Sequence, residues 1–384
     1  MKKKSVLEPQ RSLFDIPEDI VYFNCAYYSP LLNESRKRLI EAASAKSRPW
    51  ERTAADFFTD AETIRKLASE IFGGDKDGYA IIPSASYGLS AAARAIEPQL
   101  QPGDNILLID EEFPSTTLSW QRIAAEKGIN IITVPTPENG NWTRAITDRI
   151  NNNIKAVSIS TCHWTNGAYI DLRPVRQLCN LTGSILIIDA TQSLGAMPFS
   201  VDEIKPDFLV AAGYKWLLCP YGFSIMYISE QWRNARPLEE SWQARENAED
   251  FSSLVNYSNT YMPGARRFDV GEKCTAVLPG AIAALEQIKN WGVERTANTL
   301  SGINNEIARQ LNTLGFTLPN ESLRCPHMFG AIMPDKYTGN LVAELKEKKI
   351  FVSQRGRSVR FAPHLYISKS DINRLLEILA ELVK

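Results

Sequence analysis

Lys215 stands in "AAGYKWLLCPYG", residues 211–222, flanked by Tyr214 and Trp216 in an otherwise apolar stretch. An amine held in such surroundings has a depressed pKa, because burial disfavours the ammonium, and it becomes a nucleophile toward carbonyls. Upstream, "SILIIDATQS" ends a continuous apolar run on Asp189, where an ionised carboxylate is costly without a cationic partner; Gln192 follows three residues later. Further upstream, "IIPSASYGLS" passes from an apolar run through Ser84, Ala85 and Ser86 to Tyr87 and Gly88. Small residues there let backbone N–H groups approach a phosphate at the positive end of a helix. Taken singly, each feature has a plainer explanation: a serine-rich turn is often an N-cap, an aspartate at a strand end caps the next turn, and a lysine beside tryptophan lays its stem on the ring. Taken together, they match the needs of one carbonyl compound, which requires a lysine for a Schiff base, a carboxylate to keep a pyridinium nitrogen protonated, and a helix N-terminus for a phosphate. That compound is pyridoxal 5′-phosphate.

The elements that must position these residues are legible around them. From about residue 79 to 230, short β-branched runs ("YAIIP", "NILLID", "NIITVP", "KAVSIS", "SILIIDA", "DFLVAAG", "FSIMYIS") alternate with amphipathic stretches. This is the pattern of an α/β domain with a mostly parallel, doubly wound sheet. "STTLSWQRIAAEKG" and "DLRPVRQLCNLTG" read as helices stopped by Gly128 and Gly183. In such sheets ligands bind beyond the carboxyl ends of the strands, where Asp189 and Lys215 fall. After about residue 231 the texture turns polar and irregular, then gives a helix "PGAIAALEQIKNWG" and two recognisable strands, "FGAIMP" and "VRFAP". A smaller α+β domain is expected there, closed by the helix "KSDINRLLEILAELVK" with Ser370 and Asp371 at its start.

Composition excludes several classes. The chain has 384 residues, with 43 Lys plus Arg against 44 Asp plus Glu and a net charge of −1, and no basic block beyond Lys2, Lys3 and Lys4. Nucleic acid is not an expected partner. Those lysines do not open a secretion signal, because Glu8, Pro9, Gln10 and Arg11 interrupt where an apolar region of roughly 7–15 residues would follow. No apolar run approaches the roughly 20 residues that span a bilayer. The six cysteines lie far apart without a C-x-x-C pair, and the three histidines have no metal-ligand spacing. A soluble, cytoplasmic protein with reduced thiols and no metal is the expectation. Neither G-x-G-x-x-G nor a Walker sequence occurs, which argues against a nicotinamide dehydrogenase.

From "VYFNCAYYSP" near the start to "RGRSVRFAPHLY" near the end, the order of these motifs resembles the class V aminotransferase family. These fold-type-I pyridoxal-phosphate enzymes also include cysteine desulfurases, kynureninases and isopenicillin-N-epimerase-like proteins. The resemblance implies an N-terminal segment, residues 1–30, that contributes to the pocket and the small domain, a large cofactor-binding domain over 31–265, and a small C-terminal domain over 266–384. It makes Lys215 the Schiff-base lysine and Asp189 the partner of the pyridine nitrogen. Gln192, and Asn166 in "STCHWTNG", lie near the cofactor's phenolic oxygen on this reading, and Phe113 in "DEEFPS" stacks on its ring. Ala85, Ser86 and Tyr87 form the phosphate cradle, and Tyr214 stands where many relatives carry a phosphate-contacting histidine. Arg360 in "SVRFAPH" matches the arginine that receives the substrate's α-carboxylate, to which a guanidinium fork is suited. Asn24 and Ala26 resemble the stretch lining the substrate pocket.

Two departures stand out. Desulfurases of this family carry a cysteine in the loop before the carboxylate-binding arginine, whereas "KKIFVSQRGRSVR" has none and Cys325 precedes the earlier strand. The family's cross-subunit Gly-Thr near the phosphate is replaced by Gly271 and Glu272. The expected activity is that of an aminotransferase or β-eliminating lyase acting on an amino acid in a homodimer, with an epimerase, or an idle relative that only binds the cofactor, as alternatives. A cofactor-free lysine enzyme of aldolase type would leave Asp189, Gln192 and the phosphate turn without a shared purpose.

Overall fold

The structure, a computed structural model, describes residues 6–383. Lys2, Lys3 and Lys4, and Lys384 at the end of the last predicted helix, lie outside them. The strands are β1 (Val21–Tyr22), β2 (Tyr79–Ile82), β3 (Asn105–Ile109), β4 (Asn130–Val134), β5 (Ile154–Ser160), β6 (Ile185–Asp189), β7 (Phe208–Ala212), β8 (Ser224–Ile228), β9 (Phe329–Ile332), β10 (Ile350–Phe351), β11 (Ser353–Arg355) and β12 (Ser358–Phe361). The seven runs read as strands from the sequence are β2 to β8, and they form one seven-stranded sheet in the order β2-β8-β7-β6-β5-β3-β4. Within it β8 runs antiparallel to β2 and β7, and the other pairings are parallel.

That order explains where a ligand belongs. After β3 the chain steps outward to the edge strand β4, then crosses back to β5 and continues through β6 and β7 in the other direction. Connections on the two sides of this reversal diverge and open a crevice at the carboxyl edge. β6 and β7 are buried at every position, which is why both read as unbroken apolar runs without alternation. Helices Pro114–Lys127 and Leu172–Thr182 end in Gly128 and Gly183, both in the left-handed region, as the sequence predicts.

The smaller sheet has the order β11-β12-β9 and is antiparallel. The chain's beginning is stitched to it: β1 pairs in parallel with β10, and Asn24 bridges to Ala362. Helix Leu278–Trp291 packs on helices Asn33–Ala45 and Thr59–Phe72. Helix Val293–Thr313 is not evident from propensity, because "VERTANTLSGINNEIARQLNT" is rich in Asn and Thr with an internal Gly302. Its buried Ala297, Leu300, Asn304, Ile307, Ala308 and Leu311 nonetheless recur at helical spacing and dock it. The last helix, Lys369–Leu382, begins at the lysine that opens the expected stretch, and its cap lies just before it, not at Ser370. Ser368 is its cap, accepting from Asp371 N at 3.2 Å while Asp371 Oδ2 accepts from Ser368 N at 2.8 Å.

A buried ionic cluster holds the segment 264–273 to the edge strand β2. Asp269 receives Arg65, which is 1% exposed, and Lys273 Nζ at 3.2 Å, while its Oδ1 accepts from Ile81 N at 2.8 Å. Asp269→Ala leaves Lys273 without an anion and Arg65 with Glu62 alone, and the expected loss is about 3 kcal/mol. The urea midpoint, followed by tryptophan fluorescence, checks it.

Candidate active site

The carboxyl ends of β2, β3, β5, β6 and β7 and the start of β8 surround a cavity of about 230 Å³. Lys215 enters it from the turn after β7. A Cβ on Gly213 would lie 2.6 Å from Phe223 O, so only glycine lets this turn fold back against the entry to β8. The amide of Gly213 donates to Phe223 O at 2.9 Å, and its carbonyl accepts from Cys219 N at 3.0 Å, which fixes the residues between. Lys215 is 6% exposed, with Nζ 5.4 Å from the Phe113 ring centroid and 5.5 Å from that of Tyr214. Burial pushes its pKa down to about 8; Asp189 opposes the shift, and Arg360 and Arg355 reinforce it.

Asp189 ends β6 on the same cavity, and burial raises its pKa. Thr191 counters this by donating its N–H to Oδ1 at 2.9 Å, while Thr191 Oγ1 accepts from Ala212 N at 3.1 Å and ties the ends of β6 and β7 together. At the end of β2, Ser84 Oγ caps helix Ala85–Ile96 by accepting from Tyr87 N at 3.1 Å. The N–H groups of Ala85 and Ser86, in the first helical turn, have no intrahelical acceptor and stand at the cavity wall. Phe113, Gln192 and Tyr214 complete the predicted residues on the lining.

The remaining predicted residues are not on this lining. Tyr87 sits one residue further into its helix, and Asn166 Oδ1 accepts from Ala168 N at 3.0 Å. The Gln192 amide reaches the N-terminal segment, donating to Ala26 O at 3.1 Å and accepting from Trp216 Nε1 at 2.9 Å. Asn24 is buried, with Oδ1 unpartnered. Arg360 is 1% exposed; Nη1 donates to Trp164 O at 2.6 Å and Nε to Ser353 Oγ at 3.2 Å, while Nη2 has no acceptor. Burial pushes its pKa down to about 10, with Arg355 adding to the shift. Gly271 N donates to Glu239 Oε2 at 2.6 Å, and Glu272 is exposed.

Trp164, Glu112 and Cys162 are among the lining residues that escaped the sequence reading. Trp164 lines the wall and meets Phe113 edge to face at 5.5 Å. Glu112 bridges β3 and β5, accepting from Phe113 N at 2.8 Å and from Ser160 N at 3.0 Å; burial and then Asp189 push its pKa up to about 7. Its position just past an apolar strand, like that of Asp189, was the available signal. Burial alone would raise the thiol of Cys162, but Cys325 and His327 beside it, with help from Arg360, draw it below its ordinary value.

A profile of the aminotransferase class-V family matches residues 28–373. The chain belongs to the class-V aminotransferase family. It is 24% identical to an uncharacterized aminotransferase, YcbU, of Bacillus subtilis, over 83% of each chain. It is 23% identical to a probable cysteine desulfurase of Pyrococcus abyssi over 96% of each. Its fold matches that of a C-DES variant with glycine covalently linked to its pyridoxal-phosphate cofactor, at a TM-score of 0.87 and 20% identity over 97% of this chain and all of that one. The fold is therefore that of the fold-type-I pyridoxal-phosphate enzymes, and the cofactor expected from the sequence is the one this family uses.

The residues present suit that group. The cavity offers a carboxylate with Oδ2 uncommitted, two helix-start amides, an aromatic face and an amine, and the buried Ser160 Oγ on its wall lacks a partner. Because the Lys215 amine is uncharged above about pH 8, its capture of an aldehyde probe, trapped by borohydride and read by mass spectrometry, rises through pH 8 and not through the ordinary 10.5. Asp189→Asn removes a carboxylate that favours the ammonium and lowers this midpoint. Arg355→Gln removes a repelling cation and raises it.

Proposed function

We propose that this protein acts at the α-carbon of an amino acid as a pyridoxal-phosphate enzyme, with transamination or β-elimination as its outcome. The observation that carries this reading is a buried lysine, with its pKa lowered to about 8, facing the same cavity as a buried aspartate at the neighbouring strand end. Asp189 would hold the proton on the pyridine nitrogen, and the amides of Ala85 and Ser86, with the hydroxyls of Tyr87 and Tyr214, would take the phosphate. Phe113 would cover one face of the ring, and Gln192 and Asn166 would lie toward its phenolic oxygen, with Asn24 and Ala26 toward the substrate. When bound, pyridoxal phosphate supplies the electron sink that accepts charge from the α-carbon. Arg360 would fix the α-carboxylate, using the Nη2 that has no partner in the protein. Lys215 Nζ, desolvated and uncharged, would remove the α-proton and return it.

The proposal includes a cytoplasmic homodimer. It draws on all six cysteines being free thiols, and on the exposed rings of Tyr27, Tyr28 and Tyr221, the last two stacked on each other. No helix among the described residues is long and apolar enough to cross a membrane.

Purified protein is expected to show a visible absorption band that is lost in Lys215→Ala. Turnover of an amino-acid panel, assayed for keto acid, for the eliminated group and for product chirality, then identifies the outcome, and Lys215→Ala lowers it by at least about 10²-fold. A protein that stays colourless after incubation with pyridoxal phosphate refutes the reading. Sedimentation velocity tests the dimer.

A further inference from the structure

The hairpin that carries Arg360 carries a second guanidinium on the same side. Its register sets Ser353 opposite Arg360 and Arg355 opposite Ser358. Side chains alternate along each strand, so Ser353, Arg355, Ser358 and Arg360 share one face. That face meets Trp164 from two directions. Arg360 Nη1 donates to its carbonyl at 2.6 Å, and the guanidinium carbon of Arg355 lies 5.2 Å from its ring centroid. Trp164 in turn lines the cavity that holds Lys215.

Among the described residues, neither guanidinium has a carboxylate within ion-pair distance. The acceptors they do have are neutral: Trp164 O and Ser353 Oγ for Arg360, and Gln354 O, at 2.7 Å from Nη1, for Arg355. Arg357, two residues along on the exposed turn, does have an acid, Asp335, at 2.7 Å. Acidic partners are thus missing only from the side of the hairpin that meets Trp164. Both arginines also lie close enough to Lys215 to press its pKa down. Two cations converging at a partly dry wall without an anion are unfavourable unless a ligand supplies the charge. On the proposed reading the cofactor would not supply it, since Ala85 and Ser86 would hold its phosphate and Asp189 would keep its ring nitrogen protonated. An α-carboxylate on Arg360 supplies one negative charge of the two.

We propose that Arg355 receives a second anionic group carried on the substrate's side chain, so that the substrate is an α-amino acid with an acidic side chain, a carboxylate or a sulfinate. This rests on Arg360 being the α-carboxylate site. The guanidinium fork suits either oxyanion, and with Nη1 given to Gln354 O, Arg355 still has the donors on Nη2 and Nε to offer a ligand.

Unreactive acids separate the two arginines. In calorimetry on the cofactor-loaded enzyme, succinate or glutarate is expected to bind at least about tenfold tighter than butyrate, the range a hydrogen bond to a charged group provides. Arg355→Gln is expected to abolish that preference and leave butyrate unchanged, with Arg355→Lys intermediate and serving as the variant if the glutamine form does not fold. Turnover then favours aspartate, glutamate or cysteine sulfinate over asparagine, glutamine and alanine, and the comparison among the acids separates carboxylate from sulfinate. Absence of a dicarboxylate preference in the unsubstituted enzyme overturns the proposal. So does an Arg355→Gln that weakens butyrate as much as succinate, because both guanidiniums then serve one carboxylate. Arg360→Gln weakens every acid if the underlying reading holds. A normal visible band with no dicarboxylate preference defeats only the second-anion assignment, whereas a missing band defeats the functional reading itself.

Discussion

Burial of ionisable groups at the end of two apolar strands is the constraint around which the molecule is arranged. β6 and β7 lie side by side, are buried along their whole length, and deliver Asp189 and the Lys215 turn to one edge. A carboxylate and an amine placed there could not both stay unmodified without cost, and each moves toward its neutral form. Neighbouring features limit how far they move. Thr191 keeps Asp189 hydrogen-bonded, the aspartate keeps some hold on the lysine's proton, and Gly213 prevents the turn from swinging away. The sheet order serves the same end, because reversing direction beyond β3 opens the crevice in which these groups meet a ligand.

Much of this was legible because it is local. A buried parallel strand must be continuously apolar, so β2 to β8 announce themselves, and a charged residue that ends such a run is conspicuous. Lys215, Asp189 and the serine-rich turn each carry a signal within ten residues, and only their conjunction points to one cofactor. The family resemblance extended the reading to Phe113, Gln192 and Arg360, whose types alone suggest a core aromatic, a surface amide and a strand arginine.

What stayed hidden depends on distant partners. Glu112 looks like one of three adjacent acids in "DEEFPS", and only the approach of Ser160 from β5 makes it a buried bridge. Cys162 gains its environment from Cys325 and His327, which arrive from the small sheet. Helix Val293–Thr313 has poor propensity and is held by packing, and the cap at Ser368 needed the reciprocal bond from Asp371 to be distinguished from Ser370. In each case tertiary context overrode a weak or ambiguous local preference.

The pairing of β1 with β10, and of Asn24 with Ala362, has a consequence for how the protein is made. The segment that passes Ala26 to Gln192 is made before the sheet strands, yet it cannot settle until β10 and Ala362 have followed. The seven-stranded sheet can assemble without waiting, since its strands are contiguous in sequence, whereas the pocket is closed by contacts of the longest possible range. The surroundings of Gln192 are therefore completed late in folding, and a substitution that weakens β1 or β10 acts on them before it acts on the sheet.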